Sequence, residues 1–202
     1  MTGEHINTEG YVLNRVLSGE NHLRFDLFSE QFGLLTCFQR KSKKPGTEAY
    51  IDLFDFASVS LERKDNGTCF VKEYLPIDRH NAIGKRYQIL LYAAEWASIL
   101  SRNLQHAEHF PPLYLLCGEV LNAFERAKRS DVVLLKALWR MAREEGYAVK
   151  EQFWTGLASS QREALSQLIQ QPTDAATFPE DKCKAILEAL RRWIRAETDI
   201  LI

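Results

Sequence analysis

The stretch Phe38-Gln39-Arg40-Lys41-Ser42-Lys43-Lys44 puts four cations into five residues directly behind an aromatic ring. Cations at that density neutralise phosphates, and a ring on the same surface stacks on a base. Together they hold a single-stranded nucleic acid. A solvated basic loop has the same composition, so the run alone leaves both readings open. Arg15 and Arg24 can add charge, and Tyr11 or Phe28 further rings, provided the backbone brings them to one surface. The same rings are also what a small core needs to fill it.

Other chemistry is sparse. Gly84-Lys85 lacks the earlier glycine and the following hydroxyl of a phosphate-binding loop, and neither GxSxG nor HExxH occurs. His106-Ala107-Glu108-His109 is a dense group of ligand-type side chains, but its two histidines would need further ligands from elsewhere to hold a metal. It reads as a polar helix end before Pro111-Pro112. His80 falls in a polar connector and reads as a solvated loop residue. Asp52 and Asp55 are close in sequence, but on a strand they point to opposite faces. No catalytic residue, metal site or cofactor is expected, and the chain is not expected to be an enzyme.

With 202 residues, 46% hydrophobic and 26% charged, the chain has the make-up of a soluble globular protein of one large or two small domains. Lys+Arg is 26 and Asp+Glu 27, a net charge of −1, which excludes a histone-like polycation and an acidic disordered tail. The charge is nevertheless segregated. Residues 11–44 carry six basic groups against three acidic ones, and residues 45–75 carry three against six. No apolar run reaches the ~18 residues of a membrane span. MTGEHINTEG lacks the basic-then-apolar order of a signal peptide. Cys37, Cys69, Cys117 and Cys183 form no CxxC and are spread too widely for a disulfide framework. Buried free thiols in a reducing cytoplasm are expected. No membrane partner is expected.

The first part of the chain alternates with period two between turn residues. Strands are expected over 11–17, 22–28, 32–41, 49–62 and 69–75, with Leu23, Phe25 and Leu27 on one face and Leu35 paired with Cys37 on another. Asp65-Asn66-Gly67 predicts a hairpin with a type I′ turn. Five short strands suggest a small closed barrel, and the OB-fold is the barrel of this size. From Ile83 the period becomes helical. Pro112 suits a first helical position, Asp131 an N-cap, and Gly146 a left-handed helix end. Pro172 stops a helix begun at Ser160, and Pro179 starts the last. The expected fold is α+β: a five-stranded OB-like barrel over 1–78, then an all-α helical domain over 79–202.

Several stretches resemble the RecO family of bacterial recombination mediators. Glu9-Gly10-Tyr11-Val12-Leu13-Asn14-Arg15 is similar to its first strand, and Ser18-Gly19-Glu20-Asn21-His22 to its Gly-Glu turn. Leu27-Phe28-Ser29-Glu30-Gln31-Phe32-Gly33 is similar to its strand–turn–glycine signature. The basic run at 40–44 stands where the family has a Gly-Ala-Arg/Lys stretch, and Glu145-Gly146-Tyr147 is similar to a recurrent helix end. The order of parts agrees as well. Many relatives hold a zinc with cysteines in the helical domain, but 148–158 here contains none, so no zinc site is expected.

The resemblance implies an OB-fold that binds single- and double-stranded DNA and anneals complementary strands. It also implies docking on the C-terminal tail of single-stranded-DNA-binding protein, and cooperation with a RecR-like protein to load recombinase. The expected location is the cytoplasm, associated with the nucleoid. Arg15, Arg24, Phe38, Arg40, Lys41, Lys43 and Lys44 are the candidate DNA-binding residues, with Tyr11 as a further ring. Tail binding needs an apolar pocket rimmed with cations, for which Arg126, Lys128 and Arg129 are candidates. The alternative is a non-enzymatic protein–protein adaptor that uses the same scaffold without touching DNA.

Overall fold

In the computed structural model the described residues are 3–40, 50–105, 107, 109–173 and 178–202. Five strands come first: β1 (Glu4–Ser18), β2 (His22–Ser29), β3 (Gly33–Arg40), β4 (Phe56–Arg63) and β5 (Cys69–Asp78). After a 3-10 turn at Ile83–Lys85 come α1 (Tyr87–Asn103), α2 (Pro111–Arg126), α3 (Ser130–Glu144), the single-turn α4 (Phe153–Gly156), α5 (Ser159–Gln170) and α6 (Glu180–Glu197). The chain divides into two compact units, Met1–His80 with Leu100–Tyr114, and Asn81–Ile99 with Leu115–Ile202. The fold is α+β, as expected.

The first unit is a closed barrel in the order β1-β2-β3-β5-β4. Its seams are antiparallel except the β3–β5 seam, which runs parallel and is matched at Cys37↔Cys69 and Phe38↔Phe70. The expected alternation places Leu23, Phe25, Leu27, Leu35 and Cys37 in the core, joined by Ile6, Val12, Val59, Leu61 and Cys69.

β1 is longer than its apolar pattern predicts, because its first half pairs with β4 and its second with β2. Of residues 4–9 only Ile6 is buried, so periodicity could not reveal that half. Gly10 belongs to both pairings, and a Cβ there would lie 2.5 Å from the Phe28 carbonyl oxygen and 2.9 Å from Leu27 Cγ. The strand can switch partners at this point only without a side chain.

The apolar run 49–62 is not one strand. β4 begins at Phe56, and 52–55 is a turn organised by the buried Asp55. One Asp55 oxygen accepts the Asp52 N–H at 3.0 Å, the Tyr74 hydroxyl at 2.7 Å and Arg79 Nη1 at 3.4 Å. Asp52 and Asp55 are therefore turn partners rather than residues on opposite strand faces. Burial pushes the Asp55 carboxyl up, while the bonds from Tyr74, Asp52 and Arg79 pull it back only in part. The 65–67 turn also differs from expectation. Lys64 pairs with Thr68 across a three-residue loop, and among the described residues of that loop only Gly67 (φ 81°) has positive φ. This is a type I turn closed by a glycine bulge, not type I′.

In the second unit α3 packs against α6, and Leu134 and Leu138 on the first and Ile186, Leu187 and Leu190 on the second are all buried. Arg191 on α6 reaches Glu95 on α1 at 2.6 Å. Pro111, not Pro112, is the first residue of α2. Asp131 is in the first turn of α3 rather than at its N-cap, which is Arg129. Gly146 takes φ 85° as expected, and the Tyr147 N–H reaches back to the Ala142 carbonyl at 3.0 Å. All four cysteines are buried and free. Among the described residues no helix is long and apolar enough to cross a membrane.

Gly10→Ala should lower stability by about 1–3 kcal/mol, because the new methyl meets backbone that cannot rotate away. Urea unfolding of the full chain reads this as a lower midpoint with an unchanged slope.

Candidate nucleic-acid interface

Directly opposed residues of paired strands share one face of the sheet. Val16, Arg24, Phe38, Phe70 and Glu62 are register partners in turn around the barrel, and Cys37 and Cys69 beside the two rings point into the core. The row therefore lies on the outer surface. Phe38 and Phe70 stand side by side with ring centroids 6.0 Å apart and planes tilted by 33°. Phe70 is 37% exposed and Phe38 half-buried. Two residues beyond Phe38, Arg40 is exposed on the same face at the end of β3.

Lys72 sits at a bulge where Ser60 and Leu61 face Glu73 and Val71, and its ammonium meets Glu62 at 2.5 Å. Glu62 also binds Lys64. Hydrogen bonds from Lys64 and then Lys72 hold the Glu62 carboxyl down at about 2, so it stays ionised and masks both cations.

Arg24 is anchored at one edge of this surface. Its Nη2 lies 3.6 Å from Asp26, a buried carboxylate that also accepts Asn14 Nδ2 at 3.0 Å and Thr36 Oγ1 at 3.2 Å. Arg15 is placed differently. Its register partner is Phe25, a core residue, so it leaves β1 from the opposite side to Arg24. There its guanidinium lies 4.4 Å from the centre of the Tyr50 ring, donates to the Tyr50 hydroxyl, and sits 3.9 Å from Asp52. Tyr11 and Phe28 are on the outer face but packed. Tyr11 stacks on Phe56 at 4.8 Å, and Tyr114 packs on Tyr11 at 5.2 Å and on Phe28 at 5.5 Å. Lys41, Lys43 and Lys44 lie outside the described residues.

Of the candidate residues, the structure brings together Arg24, Phe38 and Arg40, and adds Phe70 and Lys72. Phe70-Val71-Lys72 repeats the spacing of Phe38-Gln39-Arg40, a ring and then a cation two residues on. That repeat was the available signal for Phe70. It acquires meaning only when β3 and β5 are known to be neighbours.

The second unit carries the cations suggested for tail binding. Arg126 and Lys128 are exposed, but Arg129 is engaged. It grips both oxygens of Asp131 at 2.9 and 2.7 Å and donates to the Phe178 carbonyl at 2.5 Å. Burial would raise the Asp131 carboxyl, but the Arg129 and Cys183 hydrogen bonds and the Arg129 charge outweigh it and hold it low. A pocket of about 400 Å³ lies elsewhere in this unit, lined by apolar residues including Trp139, Val149, Trp154 and Ile169, with Arg143, Lys150 and Glu151 among its walls. In the barrel unit a cleft of about 380 Å³ is lined by polar residues including Glu9, Glu30 and Gln31, and both carboxylates belong to exposed residues. His80 is buried, not solvated as expected. It adopts φ 45°, its N–H meets Asp78 Oδ1 at 3.2 Å, and its ring lies 3.9 Å from the same carboxylate. Within neither unit do the described residues gather three metal-ligating groups; His106 and Glu108 fall outside the described residues.

No protein-family model matches the chain. A curated relative, "DNA repair protein RecO" of Exiguobacterium sp. (strain ATCC BAA-1283 / AT1b), is 24% identical over 125 residues. The match covers 61% of this chain and 50% of the relative, so the chain spans half the length of that protein. The similarity supports a distant RecO-like relationship. Among solved structures, a chain of the a/eIF2alpha–aDim2p–rRNA complex from Pyrococcus horikoshii OT3 aligns over 96% of both chains at 14% identity. Its TM-score is 0.25, below that of a shared fold.

The Arg129–Asp131 pair should make stability fall in acid. A carboxyl held below its ordinary value in the folded chain contributes stability above the unfolded value of 3.8, and that contribution is lost as pH falls through the folded value. Arg129→Ala strands a buried carboxylate and should cost about 3 kcal/mol at neutral pH. The difference from the unaltered chain should shrink as Asp131 protonates, read by urea titrations between pH 7 and 3.

Proposed function

We propose that the outer face formed by β2, β3 and β5 binds single-stranded DNA, and that the chain is a RecO-like, non-enzymatic mediator of recombinational repair. The observation that carries this is the Phe38–Phe70 pair, matched across the parallel seam and bordered by Arg24, Arg40 and Lys72. Rings of this kind stack on bases of any sequence, while the cations track phosphates. A five-stranded barrel in this strand order is OB-like, and the face of strands two and three is where OB-folds bind oligonucleotides. The distant relative, named as a DNA repair protein, favours DNA over RNA.

In this reading Lys41, Lys43 and Lys44, which follow Arg40 in the sequence, contribute further charge to phosphate binding, and Arg15 supports the barrel instead of touching DNA. Two complementary strands screened by one surface anneal without nucleotide hydrolysis. Double-stranded DNA binds the same cations without the stacking contribution. The pocket beside Trp139 and Trp154 would take the acidic, apolar-ended tail of single-stranded-DNA-binding protein, with Arg143 and Lys150 meeting its carboxylates. It suits that tail better than Arg129, which is already occupied. A RecR-like protein is the expected partner in loading recombinase, in the cytoplasm and at the nucleoid.

Fluorescence anisotropy with a labelled oligo(dT) tests the reading. Affinity should fall with salt at a log–log slope near −3 for about four phosphate contacts. Phe38→Ala and Phe70→Ala should each weaken binding by about 5- to 150-fold, the equivalent of 1–3 kcal/mol of stacking per base, with the slope unchanged. Replacing Arg40, Lys41, Lys43 and Lys44 by Ala should flatten the slope. Absence of binding at low salt would overturn the reading in favour of the adaptor, whose contact surface would include Leu75 and Ile77, exposed on β5.

Glu62→Gln supplies an opposite sign. Releasing Lys64 and Lys72 should tighten binding and steepen the slope by about 0.7 for each phosphate that a freed lysine neutralises. An unchanged slope would place those lysines outside the DNA path.

A further inference from the structure

Cys37 and Cys69 lie 32 residues apart in sequence but are direct register partners across the β3–β5 seam. Both face the barrel interior, and neither has exposed surface. Adjacent strands run about 4.7–4.9 Å apart, inside the Cα separation of about 4.4–6.8 Å that a disulfide requires. Each thiol donates to a nearby backbone carbonyl, Cys37 to Leu35 and Cys69 to Gly67, both at 3.7 Å. Cys117 on α2 and Cys183 on α6 have no such partner thiol among the described residues.

We propose that Cys37 and Cys69 are an oxidisable dithiol, converted by a hydroperoxide into a disulfide that locks the parallel seam of the barrel. Access is through the end of β5. Cys69 is its first residue, next to the exposed turn at 65–67, and the seam it closes is matched at only two positions among the described residues. Fraying there uncovers Cys69 before it uncovers the rest of the core. The adjacent Cys37 thiol draws the Cys69 thiol down to about 7, while the same neighbour and burial push Cys37 up. Its place at the first residue of β5, beside the exposed turn, makes Cys69 the attacking sulfur and Cys37, further along its own strand, the resolving one.

In the first step the Cys69 thiolate attacks one oxygen of hydrogen peroxide. A sulfur–oxygen bond forms, the oxygen–oxygen bond breaks, and hydroxide leaves and takes a proton to become water. In the second the Cys37 sulfur attacks the Cys69 sulfenic acid. The sulfur–sulfur bond forms, the sulfur–oxygen bond breaks, and the Cys37 proton departs with the leaving oxygen as a second water. Two thiols and one peroxide give one disulfide and two waters, a two-electron exchange. The bond would lie directly beneath Phe38 and Phe70, but its formation does not depend on what that outer pair binds.

The test uses the full, reduced chain treated with hydrogen peroxide, then unfolded in denaturant, alkylated with N-ethylmaleimide and mapped by mass spectrometry without reduction. The expected result is two alkylated cysteines of the four, an intact mass about 2 Da lower before alkylation, and one linked peptide joining Cys37 to Cys69, all reversed by dithiothreitol. The oxidised chain should melt at a higher temperature than the reduced one. In Cys37→Ala, dimedone should trap a sulfenic acid at Cys69 and no internal link should form. Four alkylatable thiols after peroxide, a link through Cys117 or Cys183, or sulfinic acid at Cys69 without a link would each overturn the proposal. Mapping of the unaltered chain decides the matter even where a variant folds poorly. A separate oligo(dT) titration of the oxidised chain keeps failure of the DNA reading distinct from failure of the dithiol.

Discussion

The barrel depends on closing β3 against β5, two strands that run parallel and meet over a short register. A small sheet left open at that seam would expose unpaired backbone and split the core. What holds the seam is side-chain packing on both of its faces. Cys37 and Cys69 join Leu35, Leu61 and Val71 inside, and Phe38 packs on Phe70 outside. The same two register positions thus supply part of the core and all of the exposed aromatic platform. An inner residue that weakened the seam would separate the rings above it.

The rest of the barrel fixes which outer residues remain available. Tyr114 covers Tyr11 and Phe28, Asp26 holds Arg24 by its guanidinium, and Glu62 masks Lys64 and Lys72. A net charge of −1 is the sum of such local pairings and says little about any one face. The acidic excess over 45–75 is similarly divided by function. Asp55 organises a turn and Glu62 restrains two lysines, so neither carboxylate opposes the basic edge at Arg40 as a free charge.

Legibility in the sequence followed burial. Leu23, Phe25, Leu27, Leu35 and Cys37 alternate cleanly because one face of each strand is core and the other is not. The first half of β1 was hidden because pairing with β4, not burial of its side chains, makes it a strand. The segment before Phe56 misled in the opposite direction. Tyr50, Ile51, Leu53 and Phe54 look like strand residues, but a buried carboxylate at Asp55 turns the chain, and Phe54 accepts φ 71° to complete that turn. Phe70 as a partner of Phe38, and Arg15 as a residue of the opposite face, both follow from strand neighbours. Local pattern carries no information about those.

The same pairings decide how strong a grip this surface can have. Two rings and a few cations, several of them already paired with carboxylates, make a site that competes poorly with salt. For a protein that only stores single strands this would be a defect. On the proposed reading it is suited to annealing, because strands that pair with each other must leave the surface that brought them together. Stacking contributes affinity without sequence preference, and the masked lysines keep phosphate binding weak enough to reverse. The relation between Glu62 and its two lysines then sets the balance between holding a strand and releasing it.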